Sequence, residues 1–181
     1  MRTIVAIIGV PATGKSTLMK ALMEELASDW GLSSIPYLAY HFSDITQTYV
    51  LGKYEDGEVF SGTDKLSMSC QPIAEKFVSE HRDDNFLFEG DRLSSGTFLE
   101  FCADLPDTEF HIVHLQAASD IVNFRHKDRA DTQNETFLKG RETKYANIKK
   151  NFLLMDYITN YKHETPEDTK KIVSTILEWL K

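Results

Sequence analysis

Residues 3–22 read TIVAIIGVPATGKSTLMKAL. Ile4–Ile8 is a continuous apolar run, as a strand buried on both faces of a parallel sheet requires. Gly9–Ser16 then has the spacing GxxxxGKS. A loop of this kind turns backbone N–H groups around a phosphate, with the lysine reaching the outer phosphates and the dipole of the next helix behind it. Leu18, Leu22 and Leu26, with Met19 and Met23 beside them, continue at helical spacing. Strand, glycine loop and helix stand in the order that phosphate binding needs, so Gly9, Val10, Pro11, Ala12, Thr13, Gly14, Lys15, Ser16 and Thr17 are the candidate nucleotide-binding residues.

The rest of the chain alternates apolar runs with helical patterns. Ile35–Phe42, Phe86–Phe88 and Phe110–Leu115 are the further runs, with a shorter one near Tyr157–Asn160. Pro36 marks the second as an edge strand or a strand start. Such alternation predicts an α/β fold with a mostly parallel sheet of about five strands between helices. Ile73, Phe77 and Val78 share one helix face, and Pro72 starts or kinks that helix. Ile121, Val122 and Phe124 face inward on a helix over 118–129, and Phe137, Tyr145, Ile148 and Phe152 set a longer pattern. Thr165 as N-cap, Pro166 at the first helical position and Asp168 closing a capping box begin the last helix, a docking element without chemistry.

At 181 residues the chain reads as one domain, 1–181, with ordinary apolar (41%) and charged (27%) content. No run of about 18 apolar residues is present, so no membrane span is expected. The apolar start reads as a core strand rather than a signal peptide. Cys70 and Cys102 are isolated, which fits buried small residues and a reducing cytoplasm. The net charge of −8 argues against a general polyanion-binding surface, although RHKDR at 125–129 is a local basic patch. No obligate protein partner is implied.

In parallel sheets ligands collect at the carboxyl ends of strands. The third run ends in FEGDR, where Glu89 is a candidate magnesium ligand together with Ser16, and Asp91 is the substitute two residues on. Arg92 follows as a cation for the moving phosphoryl group. The second run ends in HFSD; Asp44 is either the group that takes the proton of an acceptor hydroxyl or the N-cap of a helix starting near Ile45. His41 reads as structural. Arg125 and Arg129 share a helix face, and with Arg141 and Lys144 across a polar bend they outline a lid-like region, 119–145. Thr46–Leu66, with a hairpin around Asp56-Gly57, is an insertion placed to hold the acceptor.

GVPATGKST, HFSD, FEGDR and RHKDR together resemble the P-loop nucleoside, nucleotide and polynucleotide kinases. The resemblance implies a three-layer P-loop kinase fold with a helical lid, ATP and Mg²⁺ as cofactors, and a nucleoside-type acceptor. It makes Lys15, Arg92, Arg125 and Arg129 catalytic cations. Asp91-Arg92 looks like the Asp-Arg or Glu-Arg pair of thymidylate and deoxynucleoside kinases. FSGTDKLSM with LFEGDRL is also similar to bacteriophage kinases of hydroxymethylated pyrimidine (5-hydroxymethyluracil) in DNA, which implies DNA modification in the host cytoplasm. The short thymidylate-kinase substrate motifs are not evident. A deoxynucleoside or deoxynucleotide kinase is the alternative, and a P-loop switch without an acceptor a further one; the DxxG and NKxD elements of a GTPase are absent from the sequence.

Overall fold

The computed structural model describes residues 1–55, 61–128 and 135–181. Among the described residues seven strands form one sheet: β1 (Arg2–Ile8), β2 (Gly31–Ile35), β3 (Leu38–Ser43), β4 (Thr48–Leu51), β5 (Asn85–Glu89), β6 (Thr108–Gln116) and β7 (Ile158–Lys162). The helices are α1 (Lys15–Leu26), α2 (Cys70–Glu80), α3 (Gly96–Ala103), α4 (Ser119–Asp128), α5 (Glu135–Lys150) and α6 (Pro166–Trp179). The strand order is β2-β3-β4-β5-β1-β6-β7. Strands β4, β5, β1, β6 and β7 run parallel, and β3 is antiparallel to both β2 and β4.

Side chains alternate across a strand, and β1 shows what that does to a wholly apolar run. Ile4, Ala6 and Ile8 enter one core with Phe86, Phe88, Ile112 and residues of α2 and α3. Val5 and Ile7 enter the other with Leu87, Val113 and the apolar faces of α1 and α6. Both faces are therefore covered, and the fold has three layers. The capping box of α6 forms as its sequence implies: Asp168 N–H donates to Thr165 Oγ1 (3.2 Å), and Thr165 N–H donates to the Asp168 carboxylate (2.9 Å). Cys70 and Cys102 are buried free thiols.

Seven strands replace the five expected because the second run divides. Pro36 and Tyr37 form a two-residue turn between β2 and β3, with Tyr37 at φ 70°. Proline at the first central position and positive φ at the second is what a type II turn asks for. The next strand, β4, lies within the stretch assigned to the acceptor insertion; it has four residues, all buried. Phe124 is also corrected: it is 69% exposed and does not point into the core. Phe152 lies beyond the end of α5 and is exposed as well. Among the described residues no helix is long and apolar enough to cross a membrane.

Candidate active site

The chain leaves β1 at Ile8, forms the loop Gly9–Gly14 and enters α1 at Lys15, at the carboxyl edge of the sheet. Each of four loop carbonyls is held by a donor. Lys15 Nζ donates to Gly9 O (2.9 Å) and Val10 O (3.2 Å), and Thr13 Oγ1 also donates to Val10 O (2.8 Å). Arg125 donates to Ala12 O at 3.2 Å, and the His163 ring lies 2.7 Å from Thr13 O. Gly14 adopts φ +88°, and a Cβ there would fall 2.5 Å from the His163 ring. Both the backbone angle and the ring make glycine necessary at this position. Pro11 has no N–H to offer a phosphate and shapes the loop only.

Ser16, in the first turn of α1, donates to Glu89 Oε1 (2.9 Å), and Tyr54 donates to the same oxygen (3.2 Å). Glu89 is 1% exposed. Burial pushes its carboxyl up to about 7, with Asp64 adding to the rise and Lys15, Ser16 and Tyr54 opposing it. The segment after β4 closes on this carboxylate: Lys53 and Gly62 pair through two backbone hydrogen bonds of 3.1 and 2.7 Å. A Cβ on Gly62 would lie 2.2 Å from Glu89 Oε1, so only glycine lets the neck of the segment rest there. The hairpin expected around Asp56-Gly57 lies outside the described residues.

Asp64 follows that neck in a 3-10 turn, Thr63–Lys65. One of its oxygens accepts the Asp91 N–H (2.6 Å). It keeps solvent access, yet the surrounding walls strip enough water to raise its carboxyl; Asp91 adds to that, while the Asp91 N–H, Lys15 and Arg92 oppose it. Asp91 itself turns to α5. Its carboxylate meets Arg141 (2.9 Å), Lys144 (3.2 Å) and the Tyr145 hydroxyl (2.9 Å). Two donors and an ion-paired guanidinium from α5 leave it a tether for that helix, so Glu89 rather than Asp91 faces Ser16. Arg92 Nε reaches Leu66 O at 3.4 Å, beside the same segment.

One of the expected site residues falls elsewhere. Asp44 follows β3, whose antiparallel direction carries it to the opposite edge of the sheet. Ser43 pairs with Thr48, and Thr48 with Asn85, the first residue of β5. Asp44 is thus a strand length, about 13 Å, from the level of Glu89. It is exposed in a turn into β4, and no helix begins there for it to cap. The structure thus places this candidate acceptor base away from the phosphate loop. Arg129 lies outside the described residues. Arg125 reaches the loop through carbonyl oxygens: besides Ala12 O it donates to His163 O and Glu164 O, both at 3.2 Å.

On the α1 and α6 side of the loop is a cleft of about 820 Å³, lined by Gly14, Thr17, Arg125, His163, Thr165 and Val173 among others. That volume falls within the range of small-ligand pockets. Asp64, Tyr54 and His163 were not singled out in the sequence; their approach to the loop depends on contacts made across the fold.

A strand, a phosphate-type loop and a helix at the carboxyl edge of a mostly parallel, helix-covered sheet define the P-loop kinase class of fold. The chain belongs to the P-loop Nucleotide Kinase3 family, whose model matches residues 1–177. It is similar in fold to an unliganded sugar kinase from Janibacter sp. HTCC2649, with a TM-score of 0.53 and 13% identity over 99% of this chain and 94% of that one. No curated protein matches the sequence.

Proposed function

We propose that this chain is an ATP-dependent phosphotransferase that moves the γ-phosphoryl group to a hydroxyl of a nucleoside-type acceptor. The observation that carries the reading is the position of the phosphate loop. It lies between a nucleoside-sized cleft on the α6 side and residues 61–66, with Asp64, on the β4 side.

In this reading the nucleoside of ATP occupies the cleft beside Gly14 and Thr17, and the phosphates lie along the loop with Lys15 at the outer ones. Ser16 and Glu89 offer a hydroxyl and a carboxylate, oxygen donors of the kind magnesium takes. Magnesium held by these two residues would supply neutralisation of the negative charge on the transferring phosphoryl group. Asp64 replaces Asp44 as the acceptor-side base. Its carboxylate takes the hydroxyl proton as the acceptor oxygen bonds to the γ-phosphorus and the bond to the β-phosphate oxygen breaks, leaving ADP. Arg92, beside segment 63–66, follows the charge on the moving group.

For the acceptor, a hydroxymethylated pyrimidine in DNA is the finer form of the proposal. It is supported by the phage-kinase resemblance of FSGTDKLSM and LFEGDRL, stretches that lie against each other through Gly62–Glu89 and Asp64–Asp91. The test is transfer from γ-labelled ATP to deoxynucleosides, deoxynucleoside monophosphates, plain DNA and DNA containing hydroxymethyluracil. Label in the modified DNA alone supports the finer form, and label in a free nucleoside or nucleotide replaces it with small-molecule metabolism. Label recovered only as inorganic phosphate overturns the phosphotransferase reading.

A further inference from the structure

We infer that His163 is a positioning residue of the phosphate loop, fixing the direction in which the Thr13–Gly14 peptide faces. The inference rests on the phosphate-binding reading of that loop.

His163 is 3% exposed, and both ring nitrogens are used. Nδ1 lies 2.7 Å from Thr13 O, and Nε2 lies 2.8 Å from Thr169 Oγ1. A carbonyl oxygen only accepts, so Nδ1 carries the proton toward Thr13. Nε2 pairs with the Thr169 hydroxyl, which also lies within reach of Thr165 O (3.4 Å). The peptide unit is planar and trans, so its C=O and N–H point in opposite directions. Holding the Thr13 carbonyl against His163 therefore aims the Gly14 N–H away from the ring, to the other side of the loop. Arg125 acts in the same sense one residue earlier, where its bond to Ala12 O turns the Thr13 N–H over. A phosphate-binding loop works by such consecutive N–H groups converging on one point.

The ring is itself well anchored. The His163 N–H donates to Gln116 O (2.8 Å), tying the end of β7 to the end of β6, and its carbonyl accepts from Arg125. Thr169 belongs to α6, whose N-terminus is fixed by the capping box. Through His163 the last helix thus bears on the orientation of a peptide 150 residues before that histidine.

The experiment measures binding of inorganic tripolyphosphate, which engages the loop without entering a nucleoside site, to wild type, His163→Leu, His163→Asn and Thr169→Val by calorimetry. Melting temperatures are recorded alongside. His163→Leu is expected to weaken tripolyphosphate about tenfold, the scale of one or two oriented hydrogen bonds. His163→Asn, which keeps an N–H donor, is expected to recover most of that loss. Thr169→Val, a milder change that leaves the ring in place, is expected to weaken binding about threefold and serves if His163→Leu does not fold. Wild-type affinity in His163→Leu or Thr169→Val overturns the inference, as does an equal loss in His163→Leu and His163→Asn that tracks the melting temperature. Failure of wild type to bind tripolyphosphate instead overturns the phosphate-loop reading itself.

Discussion

Glu89 and Asp91, two residues apart at the end of β5, have carboxyls displaced in opposite directions. Burial pushes Glu89 up to about 7. Burial also works to raise Asp91, but Lys144, the Tyr145 hydroxyl and Arg141 outweigh it and hold that carboxyl below the usual aspartate range. The two side chains leave the strand end toward different neighbours, one toward the phosphate loop and the other toward α5. A pH dependence follows for Glu89. The native state binds its proton more tightly than the unfolded chain, so ionisation between about pH 4.5 and 7 destabilises the fold. The ligand-free protein should lose stability relative to Glu89→Gln as pH rises through that window, by up to about 3 kcal/mol. Urea denaturation of both proteins at several pH values measures it; parallel stability curves would contradict the assignment.

Lys15→Ala removes the cation that bridges Gly9 O and Val10 O. Phosphoryl transfer should fall by at least about 10²-fold, in line with removal of a preorganised charge from a developing transition state. Circular dichroism should show the fold unchanged, since Lys15 sits at the loop surface rather than in either core.

Asp64→Asn and Asp44→Asn separate the two edges of the sheet. Asp64→Asn should slow transfer by about 10²–10⁴-fold, the usual contribution of a positioned base, with nucleotide affinity little changed. Asp44→Asn, on the far edge, should leave turnover at wild-type level and stability within about 0.5 kcal/mol. Saturating kinetics with acceptor and isothermal titration with ATP read both effects. A slow Asp44→Asn enzyme beside a normal Asp64→Asn enzyme would reverse the assignment.

Gly14→Ala should destabilise the protein by about 1–3 kcal/mol, because alanine at φ +88° is strained and its methyl meets the His163 ring. In a His163→Ala background the same substitution should cost less, since the steric part is gone while the backbone part remains. Thr165→Ala should cost about 1 kcal/mol through loss of the α6 cap. Chemical denaturation of the four variants tests these values.

Legibility in the sequence followed the range of the contacts involved. The phosphate loop, the buried β1 and the capping box of α6 are written in adjacent residues, and each took the form its local pattern implied. The position of Glu89 beside the loop was readable because a carboxylate ending a buried strand needs only that strand's direction. Asp44 misled because direction was the hidden variable: Pro36-Tyr37 reverses the chain, so the end of β3 faces away from the loop. A proline followed by an aromatic inside one apolar run was the available sign of that turn. Asp64 depends on the Lys53–Gly62 pairing that folds its segment back over Glu89, and His163 on β7 ending beside β6. Neither is encoded by spacing near the residue, so both emerge only with the assembled sheet.

The most direct test of the account is the stoichiometry of transfer. ADP formed and acceptor phosphorylated would be counted together, with γ-labelled ATP and the acceptor that takes label. The account predicts about one phosphorylated acceptor for each ADP, with both lost in Lys15→Ala. ADP accumulating with inorganic phosphate alone, or a Lys15→Ala protein that transfers at the wild-type rate, would contradict it.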